Sequence, residues 1–145
     1  MKGFFVKSTR VTPSVYFNPK KNLLDIRGKS TPENPLAFYH YVFSSIDEYC
    51  NSGNGDIHLN LAFEYFNTSS SKCLYMLLKR VNKLHTSGKK VVINWYYEID
   101  DEDMCEAGED LSCLFNFDFK MIEIPEITVL GTVAEEPNKK RLVSA

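Results

Sequence analysis

The sequence predicts an α/β domain, a mixed sheet of about five strands opened by an N-terminal hairpin and carrying three to four helices. Three observations support this. Two strand-like runs come first with a turn between them. Further on, the apolar period switches repeatedly between helical and strand spacing. Clusters of Pro, Gly, Ser and Asn mark each switch. Paired strands followed by alternating helix and strand units give a sheet with parallel crossovers.

Val11 to Phe17 mixes β-branched and aromatic residues around Pro13, and Asn18-Pro19-Lys20-Lys21-Asn22 turns the chain into Leu23 to Gly28. This is the hairpin, with Pro13 at an edge or a strand start because proline cannot donate to a ladder. Ser30-Thr31-Pro32-Glu33 supplies a cap residue, a first-turn proline and a carboxylate for the first helix. From Pro35 to about Asn51, Tyr39, Val42, Phe43, Ile46 and Tyr49 form one apolar stripe, and Ser52-Gly53-Asn54-Gly55 stops it. Ile57, Leu59, Leu61, Phe63 and Tyr65 then alternate with their neighbours as a strand.

The next segment is helical, with Leu74, Leu77, Leu78, Val81 and Leu84 on one face and Lys72, Lys79, Arg80 and Lys83 on the other, until Ser87-Gly88. Val91 to Tyr97 is a nearly unbroken apolar run, as expected of a strand covered on both faces. Asp100 to Asp110 reads as a short acidic helix with Met104, Ala107, Leu111 and Leu114 at helical spacing and its carboxylates facing water, and Phe117 to Ile124 as a last strand. After Ile127 periodicity ends, so residues 1–127 form one domain and 128–145 a tail or terminal arm.

The 145 residues, 43% hydrophobic and 25% charged, suffice for one core. A net charge of -2 argues against a phosphate-binding surface, so nucleic acid is not an expected partner. No apolar run is long enough to cross a bilayer, and Met1 to Val6 is too short before Lys7 for a secretory signal, so the expectation is a cytoplasmic protein with no membrane partner. Cys50, Cys73, Cys105 and Cys113 include no C-x-x-C pair, and His40, His58 and His85 have no ligand spacing. Reduced, packed thiols and no metal or other cofactor are expected. The acidic stretch from Glu98 to Asp103 lacks the spacing and central glycine of a calcium loop.

The most informative stretch is Asn67-Thr68-Ser69-Ser70-Ser71-Lys72, between the alternating strand and the amphipathic helix. A helix start leaves about four backbone N–H groups unpaired, and one Asn, Thr or Ser serves as the cap, so five in a row exceed that need. A hydroxyl at the positive end of a helix suits anion binding or reversible phosphorylation. Without glycine the turn is a poor nucleotide cradle, and neither Glu64 nor His58 is tied by a motif to Thr68 as a catalytic base. Asn67, Ser69, Ser70 and Lys72 are candidate recognition residues beside Thr68. Tyr96 and Tyr97, after Trp95 at the carboxyl end of the central strand, are candidate flanking side chains.

Three separated motifs resemble the SiaC family. They are Ser30-Thr31-Pro32-Glu33-Asn34-Pro35, Leu61 to Lys72 centred on Asn67-Thr68-Ser69-Ser70, and Val92 to Tyr97 followed by Asp101-Glu102-Asp103-Met104 and Glu106-Ala107-Gly108-Glu109. The resemblance spans roughly Val11 to Ile124. It implies a STAS-like fold, similar to that of the anti-sigma-factor antagonists, and no catalytic activity of its own. It further implies phosphorylation at the threonine of the Asn-Thr-Ser-Ser turn, which is Thr68 here. The implied partners are a histidine-kinase-like ATPase acting as protein kinase, a PP2C-type phosphatase, and a diguanylate cyclase activated by the unphosphorylated form. The expectation from sequence is a partner switch. The alternative is a small-ligand or lipid-binding module, or an uncharacterised enzyme, using a groove near Glu64 and Tyr97.

Overall fold

The computed structural model describes residues 1–53 and 55–129. Asn54 of the expected helix stop and residues 130–145 of the expected tail lie outside the described residues. Among the described residues six strands stand side by side in chain order: β1 Phe4–Val6, β2 Ser14–Asn18, β3 Leu23–Ser30, β4 Ile57–Phe66, β5 Val91–Glu98 and β6 Asp118–Ile124. The first three pair antiparallel, and β3 through β6 pair parallel. The expected hairpin is β2–β3, joined through a 3-10 turn at Pro19–Lys21 that Asn22 closes in the left-handed conformation, φ 57°. The additional strand, β1, is three residues long, too short to display a period, and its pairing with β2 defines it.

The parallel strands are joined by α1 Pro35–Asn51, α2 Thr68–Thr86 and α3 Glu102–Ser112. The first helix starts later than its sequence signal. Ser30 completes β3, and Asn34 caps α1 by accepting the Ala37 N–H at 3.1 Å, with Pro35 at the first helical position. Asp101 caps α3 in the same way through Met104 N–H.

Neighbouring parallel strands joined in sequence by right-handed crossovers place their helices on one face of the sheet. The core shows this side. Val15, Phe17, Leu24, Ile26, Leu59, Leu61, Phe63, Ile93 and Trp95 pack with the apolar stripes of α1 and α2 and with Met104 of α3. Trp95 is fully buried, and its Nε1 donates to the Met104 carbonyl at 3.0 Å. Gly108 on α3 makes room for it, since a Cβ there would stand 2.5 Å from two atoms of the indole ring.

The expectation of a strand covered on both faces is therefore corrected for β5. Alternate residues face a side that, among the described residues, carries no helix, and there Asp25, Asn60, Asn94 and Lys120 stand in register across β3 to β6. Asn94 Nδ2 donates to Asn60 Oδ1 at 2.9 Å and Asn60 Nδ2 to Asp25 Oδ2 at 3.2 Å. Arg27 Nε donates to Asp25 Oδ1 at 2.8 Å, and its guanidinium lies over the Tyr96 ring. This ladder keeps the nearly buried Asp25 carboxylate paired. The apolar run of β5 misled because Val92 is buried even on the helix-free side.

Candidate functional site

The turn between β4 and α2 sorts its hydroxyl and amide side chains into distinct roles. Asn67 is the N-cap. Its backbone is extended, and its Oδ1 accepts the Ser70 N–H at 2.9 Å. Its own N–H donates to the Ser30 carbonyl at 3.1 Å, which ties the turn to the end of β3. Ser70 is fully buried. Its Oγ accepts from Ser30 Oγ at 2.9 Å, and Ser30 Oγ also lies 2.6 Å from the Tyr39 hydroxyl on α1. Burial holds the Tyr39 phenol well above its ordinary pKa, against a smaller opposing effect of the Ser30 hydrogen bond, so this cluster stays neutral. Ser71 Oγ donates back to the Thr68 carbonyl at 2.7 Å.

Thr68 and Ser69 remain. Both are exposed, at the first and second helical positions. With Asn67 acting as cap, Thr68 is not needed to start the helix. Its side chain stands at the positive end of a 19-residue helix, four residues before the exposed Lys72 and so on the same helix face. Such a position can accept a dianionic group without burying charge.

Three expected recognition residues are placed differently. Ser70 is fully buried and bonded to Ser30, which in turn meets Tyr39, so it positions the site and cannot itself dock a partner. Tyr96 and Tyr97 do not act together, because consecutive strand residues point to opposite faces. Tyr96 lies with Arg27 on the helix-free side. Tyr97 faces α3, where a hydrogen bond with Cys105, then burial and the nearby Glu123 and Glu109, raise its pKa. The same alternation removes the single groove expected near Glu64 and Tyr97, since Glu64 shares a recess with Lys29 and Val129 instead.

Sequence reasoning missed a groove of about 470 Å³ between α2 and α3, lined by Phe66, Ser71, Lys72, Tyr75, Met76, Ala107, Asp110, Leu111 and Leu114. It opens one helical turn from Thr68. Tyr75 at 39% exposure and Leu114 at 60% leave apolar surface there. The available signal was Leu114, which continues the α3 stripe past the end of that helix.

Among the described residues no helix is long and apolar enough to cross a membrane, and no group of three or more His, Cys, Asp or Glu side chains is placed to hold a metal ion. The four cysteines are free thiols, with Cys73 buried and Cys113 exposed.

Comparison with known proteins identifies the site's relatives. The model of the SiaC family, described as SiaC family regulatory phosphoprotein, matches residues 6–124. An uncharacterized protein of Pseudomonas aeruginosa is 27% identical over 119 residues, covering 81% of this chain and 94% of its own length. Apo-SiaC of Pseudomonas aeruginosa superposes with a TM-score of 0.79 at 25% identity, over 84% of this chain and 99% of its own. A SiaC chain in the crystal structure of the diguanylate cyclase SiaD with its activator SiaC, from the same organism, superposes with a TM-score of 0.80 at 25% identity, over 83% of this chain and 99% of its own.

Proposed function

The chain belongs to the SiaC family of regulatory phosphoproteins, and from that premise we propose that it is a non-enzymatic partner switch that controls a diguanylate cyclase through reversible phosphorylation of Thr68. The supporting observation is the sorting of the turn: Asn67 caps, Ser70 is buried, Ser71 is tied back, and Thr68 stands exposed at the first position of α2. The pairing of the structurally similar SiaC with SiaD supports a cyclase as the target. A histidine-kinase-like ATPase adds the phosphate and a PP2C-type phosphatase removes it.

The energetics suit a switch. A phosphate adds about -1.5 to -2 charges at a helix N-terminus, where the dipole favours it by roughly 0.3–1 kcal/mol. The fold therefore tolerates the modification. Partner docking on the adjacent groove between α2 and α3 buries that charge, and leaving it without a cationic mate costs on the order of 2–5 kcal/mol. At ~1.4 kcal/mol per tenfold, affinity falls roughly thirty-fold to several-thousand-fold without refolding.

Treatment with the cognate kinase followed by mass spectrometry is expected to place phosphate on Thr68, and the Thr68→Ala chain is expected to take up none. Thr68→Asp should hold its melting temperature within a few degrees while cyclase binding weakens by at least about thirty-fold. Unchanged uptake in Thr68→Ala, or loss of the fold in Thr68→Asp, defeats the reading.

A further inference from the structure

On the helix-free side of the sheet, a short extended segment lies across the carboxyl ends of the central strands, beginning at Pro125, just past the last residue matched by the family model. Ile127 is only 5% exposed although no helix lies on this side among the described residues. Its N–H donates to the Glu98 carboxylate at the end of β5, at 2.9 Å. Two residues on, Val129 reaches the end of β3, where its Cγ1 stands 2.9 Å from the place a Cβ on Gly28 would occupy. Gly28 has φ +119°, a conformation that disfavours a side chain, and the β3–β4 register slips directly after it. Between the two anchors Thr128 faces solvent, so the segment follows the period of an extended strand, with Ile127 and Val129 inward.

Fixed points at β5 and β3 mean that the segment crosses β4, near the place where that strand hands over to the Thr68 turn on the other side. A carboxylate that takes a backbone N–H, a dry seat for one apolar side chain and a glycine notch for the next are the parts of a peptide slot. We propose that the carboxyl end of the helix-free face is a binding slot for an extended apolar-x-apolar segment, held shut in cis by Ile127-Thr128-Val129 acting as a latch. The partner it fits is a protein presenting such a segment in extended form, and docking requires the latch to leave. This inference stands apart from the Thr68 reading and survives its failure.

The test uses the full chain and a fluorescein-labelled, C-terminally amidated peptide of Glu123 to Val129. A tethered segment competes at an effective concentration of about millimolar, so anisotropy is followed to about the same peptide concentration. Ile127→Asp, with folding checked by Trp95 fluorescence, opens the latch and should bind the peptide at least tenfold more tightly than the unmodified chain. Adding Glu98→Ala should remove that gain, and a scrambled peptide should not bind. If Ile127→Asp fails to fold, Val129→Asp opens the same latch from its other end. A folded latch-open chain that ignores the peptide, or equal binding to both chains, overturns the proposal.

Discussion

On one side of β5, Ile93 and Trp95 are fully buried beneath the helices, while on the other side of the same strand Asn94 and Tyr96 are half-buried among Asn60, Arg27 and Asp25. The covered side is held by apolar burial and close fit. Trp95 meets the rings of Phe63, Phe66 and Phe119 and packs where Gly108 has no side chain. The open side is held by a hydrogen-bonded ladder that includes the Arg27–Asp25 ion pair. Stability therefore resides mainly on the covered side, and the ladder's main contribution is register. A slip of one residue would bury Asp25, Asn60 and Asn94 among the core side chains.

Removing the central side chain is the most direct way to break this comparison. Trp95→Ala is expected to lose about 3–5 kcal/mol in chemical denaturation, because it combines lost burial, a cavity and an orphaned Met104 carbonyl contact. A loss under about 1 kcal/mol would mean that the covered side is not the main source of stability. Next in size is the ladder. Asp25→Ala should cost about 1–3 kcal/mol, because Asn60 and the half-buried Arg27 lose their acceptor. Combining Asp25→Ala with Asn60→Ala in a double-mutant cycle should give less than the sum of the two singles, since the residues share a bond. Strict additivity would show that the ladder does not act as a unit.

The smallest effect concerns alkaline pH and the covered side. Burial pushes the Tyr49 phenol up to about 12, with the Asp56 and Cys50 charges adding to it, and raises Tyr39 as well. Both phenols hold their protons in the folded chain after the unfolded chain has begun to release them, so the native state binds more protons above pH 10. Stability from these groups should be fully present below pH 10 and fall as pH rises from 10 through about 12. Melting curves on Tyr49→Phe should show a shallower alkaline fall than the unmodified chain. An equal fall would assign the alkaline loss to other groups.

Much of the fold was legible because its elements are strongly periodic. The stripe from Tyr39 to Tyr49, the alternation from Ile57 to Phe63 and the stripe from Leu74 to Leu84 each produced the element they predicted. Phe4–Val6 was not legible, since three residues carry no period and pairing with β2 alone makes them a strand. The span of α1, Pro35 to Asn51, was legible, but its cap signal lay in Ser30 to Glu33, whereas Ser30 is held in β3 by pairing with Phe66 and Asn34 is the cap. The separation of Tyr96 from Tyr97 was available in principle, as a strand's pleat sends neighbours apart. The inward turn of Ile127 had no such signal.

Local sequence determined where strands and helices form, and it placed a row of hydroxyl groups at the start of α2, because period and capping chemistry act over a few residues. Only the tertiary structure decided what each hydroxyl does. Ser70 is buried and accepts from Ser30, 40 residues upstream, which in turn meets Tyr39 on another helix, contacts that exist only once β3, α1 and α2 have packed together. Packing also left Thr68 exposed at the first position of α2, while its neighbours Asn67 and Ser71 are engaged within the turn.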